Sequence, residues 1–220
     1  TTEIYPLSLH DALPISLGSD LDPIVAHHNL LGKPYIMFGS SLGATVILDA
    51  MSRNKIDPSY SILVGPNAEF NAPWFWILIA RITPPFLYHI IKPVVKWYMK
   101  KHYLDTDSDP DQYLKYVRSL DEANPSRMRR SALQFAKYKI WDRLDNIHQK
   151  VLIFTGSKDV MHGYEDTLNM AESLSICDLV DLETNARTHS VEMVNQMRSY
   201  LKEKNNRSEE HTSELQSRET

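Results

Sequence analysis

Apolar residues gather along the chain in short runs, each ended by small or polar positions, and the two kinds of run predict two kinds of element. Tyr35 to Phe38, Ser61 to Val64, Val151 to Phe154 and Cys177 to Leu182 are four to six residues long and rich in aliphatic side chains. Runs of that length, closed by Gly, Thr-Gly or polar clusters, predict buried strands of a parallel sheet. Longer stretches with helical spacing lie between them: a helix carrying His27 and His28, one from about Leu42 to Arg53, and one from about Ser190 to Lys204. The alternation of strand and helix predicts an α/β fold with a parallel sheet.

The alternation breaks once. About 85 residues separate Gly65 from Val151, where a crossover needs only a dozen or so. An inserted helical cap over about residues 68–145 is expected there. Its first half, Pro73 to Leu104, is dense in Trp, Phe and Ile, and prolines 73, 84, 85 and 93 are expected to break it into short helices. A membrane-spanning helix would need about 20 apolar residues, and Arg81, Pro84, Pro85 and Lys92 interrupt the run. Two readings stay open: a surface membrane contact, since Lys96, Lys100 and Lys101 follow the Trp-rich helices, and a cap whose apolar face packs over a site. Asp105 to Asp111 fails the EF-hand pattern, with Pro110 at position six and Tyr116 at position twelve, and reads as an acidic turn before a helix from about Gln112. Asp121 to Ile140 reads as one amphipathic helix with a basic outer face.

Candidate chemistry sits at the strand ends. Gly39-Ser40-Ser41-Leu42-Gly43 joins the first strand to the next helix, and its phase selects Ser41 as the residue held on the sharp turn. Gly39 and Gly43 would relieve crowding on either side, and the N–H of Leu42 would face an oxyanion forming beside Ser41. An ordinary strand–helix turn would also show this pattern. Asp159 follows the strand Val151 to Phe154, and His189 lies between the strand Cys177 to Leu182 and the last helix. A hydroxyl becomes a competent nucleophile when an imidazole takes its proton, and a carboxylate fixes the imidazole tautomer. Weaker rivals are His162 for the base and Glu69 for the acid. His27 and His28 read as surface or packing residues, and His89, His102 and His148 lack metal-ligand spacing.

In motif and order, serine then acid then histidine, the chain resembles the α/β-hydrolase superfamily, in particular its capped esterases, lipases, thioesterases and peptidases. The resemblance covers roughly Ser19 to Asn206. It implies a partial α/β-hydrolase fold with Ser41 as nucleophile, His189 as general base, Asp159 as orienting acid and Leu42 as half of an oxyanion hole. It implies no metal or organic cofactor. One departure is Arg187-Thr188-His189, where the family often has a glycine just before the histidine.

Residues 1–16 and 207–220 resemble translated sequencing-adapter read-through and are expected to be non-native tails on an N-terminally truncated domain spanning residues 17–206. On that reading His10 is not an oxyanion-loop histidine, and the loop with the second oxyanion donor precedes Leu17. The strand at Tyr35 to Phe38 would then expose an apolar edge, so the chain is expected to aggregate or to be inactive. Because the native N-terminus is expected to be missing, the absence of a leader says little, and the cytoplasm is taken only as the default location. The whole chain has 24 basic and 28 acidic residues, and residues 17–206 carry 22 of each. A neutral domain with no basic stripe excludes a nucleic-acid partner. The single Cys177 excludes an intrachain disulfide.

Two functions are expected from these residues. The first is a serine hydrolase that cleaves an ester, thioester or related acyl bond with a hydrophobic group, its partner being a small hydrophobic acyl substrate. The second is a non-catalytic protein that keeps the fold for binding or membrane association.

Overall fold

A computed structural model describes Gly18 and residues 21–71, 73–102, 110–159 and 163–218. His10, His162 and the acidic turn from Asp105 lie outside the described residues, as do residues 1–16. Four parallel strands form one sheet in sequence order: β1 (Ile36–Ser40), β2 (Tyr60–Val64), β3 (Lys150–Thr155) and β4 (Cys177–Asp181). All four coincide with the runs predicted from the sequence to within about two residues, the usual precision of element boundaries.

The alternation of side chains divides the core between two faces of the sheet. Leu63, Val151 and Ile153 pack on one face with α1 (Leu21–His27), α2 (Leu42–Ser52) and α7 (Tyr164–Ser173). Ile62, Val64, Leu152 and Phe154 pack on the other, against Met193, Val194 and Met197 of α9 (Val191–Arg218). The helix expected to end near Lys204 continues to Arg218. At the outer strand β1, Ile36 and Phe38 are exposed on the face that α9 covers elsewhere, so the expected apolar edge is present.

Between β2 and β3 the chain leaves the sheet through α3 (Trp74–Ile82), a 3-10 turn at Pro85–Leu87, α4 (Tyr88–His102), α5 (Pro110–Glu122) and α6 (Pro125–Phe135). It returns earlier than residue 145. Ile140 donates its N–H to Ala68 O at 2.9 Å, and Ile140, Leu144 and Ile147 are fully buried in the core. Two expectations inside the cap are corrected. Pro93 lies within α4 rather than ending it; the carbonyl it leaves without a donor belongs to His89, on the exposed side of the helix. The basic segment from Asp121 is two helices, because Asn124 caps the second one, accepting from Ser126 N and Arg127 N, and Pro125 starts it.

Candidate functional site

The turn after β1 is strained, and its surroundings hold it so. Ser41 has φ 52° and ψ −114°, a left-handed conformation that a residue with a Cβ rarely adopts. Such a residue costs about 1–3 kcal/mol and persists where neighbours over-determine it. The Ser41 N–H donates to Val64 O at 2.7 Å, and its carbonyl accepts from Thr45 N at 3.0 Å and Thr45 Oγ1 at 3.2 Å. The backbone is thus tied to β2 on one side and to α2 on the other.

Crowding explains Gly39 and not Gly43. A Cβ on Gly39 would lie 2.7 Å from Ala44 N, from the Gly43 carbonyl carbon and from Ile47 Cδ1. At Gly43 a Cβ would meet nothing within 4 Å, which corrects the expectation that both glycines relieve close contacts. Leu42 is the first residue of α2, so its N–H has no acceptor within the helix.

His189 reaches this turn from the carboxyl end of β4, at the other side of the sheet. It closes α8 (Asn185–Thr188), a single turn after β4. Its Nε2 lies 2.8 Å from Ser40 Oγ, the hydroxyl beside Ser41. Its Nδ1 lies 3.0 Å from Asn185 O and 3.1 Å from Thr188 Oγ1. A carbonyl only accepts, so the contact with Asn185 O assigns the ring proton to Nδ1 and leaves Nε2 with a lone pair, accepting from the Ser40 hydroxyl. With Thr188 in place of the glycine, the ring still reaches the Ser40 hydroxyl. Thr188 is buried, with its hydroxyl donating to Asn185 O at 2.8 Å, and so turns its bulk inward. Arg187 makes a two-pronged ion pair with Glu192 at 2.7 and 2.9 Å that braces the turn on its outer side.

Asp159 lies beside the same assembly. Asn185 Nδ2 donates to Asp159 Oδ2 at 2.8 Å. Asn185 therefore binds the carboxylate with its side chain and the imidazole with its backbone carbonyl. Asp159, Asn185, Thr188 and His189 line one narrow cleft with Val64, Gly65, Thr155 and Gly156. Burial and then the Asp159 charge raise the pKa of the Tyr116 phenol, on α5, above its ordinary value.

Sequence reasoning missed Asn185, Thr188 and the part played by Ser40. A neutral amide in a polar loop carries no chemical signal, and Ser40 occupies the variable position of the elbow. Of the rivals, Glu69 pairs with Lys139 at 3.1 Å at the foot of the cap, in a structural role. Among the described residues no group of three or more His, Cys, Asp or Glu side chains could hold a metal ion.

A sequence profile of the family described as serine aminopeptidase, S33, matches residues 17–186. No curated protein matches the chain by sequence. Among solved structures, a thermophilic esterase from Thermogutta terrifontis superposes with a TM-score of 0.62 at 18% identity, over 84% of this chain and 71% of that one. An esterase from Exiguobacterium antarcticum gives 0.65 at 15% identity, over 84% and 72%. The enol-lactonase from Burkholderia xenovorans LB400 gives 0.63 at 11% identity, over 84% and 70%. At these identities the likeness concerns the fold.

Proposed function

Since the chain belongs to the serine aminopeptidase S33 family of α/β-hydrolases, we propose that it is a serine hydrolase cleaving an ester, thioester or related acyl bond that carries a hydrophobic group. The observation behind this is the strained Ser41 turn with the His189 imidazole at the neighbouring hydroxyl, Nε2 being 2.8 Å from Ser40 Oγ.

In this reading His189 Nε2 takes the Ser41 proton as Oγ attacks the substrate carbonyl carbon. This step requires the ring to exchange its contact with Ser40 Oγ for one with Ser41 Oγ. The Leu42 N–H, at the positive end of α2, donates to the oxyanion. Collapse of the tetrahedral intermediate breaks the acyl bond, and the leaving group departs with the proton from His189. Water then loses a proton to His189, attacks the acyl-enzyme and releases the acid and the Ser41 hydroxyl. Asn185 O accepts from the other ring nitrogen and fixes the tautomer, while Asp159 acts through Asn185, holding its amide, and adds a negative charge near the cation.

The hydrophobic group is argued from the cap. A cavity of about 340 Å³ lies among its helices, lined by Trp76, Ile79, Tyr88, Ile91, Tyr98 and Met128 among others. Its walls are almost wholly apolar, which suits an acyl or alkyl chain.

A fluorophosphonate probe tests the assignment. We expect it to label Ser41, Ser41→Ala to lose labelling together with about a thousandfold or more of aryl-ester hydrolysis, and Ser40→Ala to keep labelling. Label on Ser40 would transfer the nucleophile to that residue. No label on either serine in the folded protein favours the second reading, a non-catalytic binding protein, which the hydrogen bond occupying His189 Nε2 supports.

A further inference from the structure

The outer surface of α3 and of α4 as far as Trp97 carries a series of exposed large apolar side chains. On α3, Trp74, Leu78 and Ile82 follow one another at four-residue spacing, and Trp74 and Ile82 are 75% and 68% exposed. Phe86, 72% exposed, continues the line at the 3-10 turn, and Ile90, Val94 and Trp97 carry it along α4. Within α3 and within α4 such steps keep the side chains on one face of each helix. Two exposed apolar faces joined at Phe86 are more than the scattered apolar exposure of an ordinary surface.

Its charge is one-sided. Residues 73–102 contain five Lys and Arg and no Asp or Glu. Lys92 and Lys96 turn inward to Asp121 of α5, at 2.9 and 2.7 Å. Arg81, Lys100 and Lys101 are exposed at the border of the stripe, and Lys101 Nζ lies 5.2 Å from the centre of the Trp97 ring. Aromatic rings with ammonium groups beside them suit the boundary between headgroups and acyl chains.

The shape decides between lying on a bilayer and crossing it. No single described helix is long and apolar enough to span, and α3 with the segment from Pro85 to His102 passes such a test only as a pair bent by 119°. The helices, of 9 and 15 residues, are about 14 and 22 Å long, short of a hydrocarbon core of about 30 Å. A second copy of the chain would bring like charges face to face, which disfavours self-association through this surface.

We propose that the α3–α4 face docks on an anionic phospholipid surface, with the Trp74 to Trp97 stripe in the interface and Arg81, Lys100 and Lys101 on the headgroups. The inner faces of the same helices line the cap cavity through Trp76, Ile79, Ile91 and Tyr98, so this contact would place an apolar chamber directly behind the lipid boundary. The proposal needs no catalytic activity.

The test is sedimentation of the full chain with sucrose-loaded vesicles of phosphatidylcholine alone or with about 30 mol % phosphatidylserine. We expect binding to the anionic vesicles that weakens with salt, a fall of at least about tenfold in Ile90→Glu/Val94→Glu, and a fall of roughly thirtyfold in Lys100→Glu/Lys101→Glu. Both variants should melt with the parent, since the four side chains are exposed. No partitioning of the parent overturns the proposal, as does binding that Ile90→Glu/Val94→Glu leaves unchanged. Vesicle-independent dimers that this variant dissolves, without vesicle binding, would assign the face to a second copy and overturn it as well.

Discussion

The inner strands and the first cap helix, α3, are both strongly apolar, and the sheet and the cap spend apolar sequence differently. In β2 and β3 nearly every side chain is buried, between helices on two faces. In α3, α4 and α6 none is. Polar ties connect the cap helices: Arg129 reaches Ala80 O and Arg81 O at 2.7 and 2.8 Å, and Tyr88 Oη reaches Leu120 O at 2.8 Å. Strain needs a rigid support, and the body supplies it for Ser41. The cap helices, loosely buried and tied by a few hydrogen bonds, have no such rigid support.

The sharpest way to break this comparison uses one residue type in both regions. Phe154 is fully buried and Phe86 is 72% exposed. Phe154→Ala should cost about 3–5 kcal/mol in urea unfolding, through lost transfer energy and the cavity left behind. Phe86→Ala should stay within about 0.5 kcal/mol. Equal losses would mean that the cap is an integral part of the core.

At the elbow, Gly39→Ala should lower both stability and esterase activity, because the new Cβ meets backbone at 2.7 Å that cannot swing aside; about 1–3 kcal/mol is expected. Gly43→Ala should fold as well as the parent, having open space around its Cβ, and could gain about 0.4–1 kcal/mol from a stiffer unfolded chain. Thermal melts of the two variants decide this, and a Gly43→Ala loss matching that of Gly39→Ala would restore crowding on both sides.

The same contrast explains what was legible in the sequence. Buried strands advertise themselves: Val151 to Phe154 has to be apolar on both faces, and so it reads as continuous. Ser41, Asp159 and His189 were singled out because the order of three strand ends is a long-range pattern, whereas the Ser40 contact with His189 has no such signal. The cap was legible as an insertion, and so were its breaks at Pro73 and Pro84-Pro85, but two other boundaries were not. Pro93 sits in a helix because its exposed face tolerates a lost hydrogen bond, and the two-helix form after Asp121 hangs on the Asn124-Pro125 pair. The link through Asn185 was invisible, since a backbone carbonyl that accepts from His189 belongs to every residue type alike.

Acid sharpens the comparison with a smaller effect. In the body, burial opposes ionisation of Asp181, yet hydrogen bonds from Ser157 and from the Glu183 N–H hold its pKa below the ordinary 3.8; the N–H contacts are 2.9 and 2.7 Å. In the cap, hydrogen bonds and charge from Lys92 and Lys96 lower Asp121 in the same direction. A carboxylate depressed in the folded state binds protons less readily than in the unfolded chain. Its contribution to stability is full above the unfolded pKa and disappears as pH falls through the folded value. Both Asp181→Asn and Asp121→Asn should therefore be less stable than the parent at pH 7 and converge on it as the pH drops below 3.8. Salt separates them. The exposed ion pairs of Asp121 are screened, so its deficit should shrink in about 1 M NaCl, while the short backbone hydrogen bonds of Asp181 should keep theirs. Identical salt responses in urea titrations would show that the body and the cap hold their carboxylates by the same means.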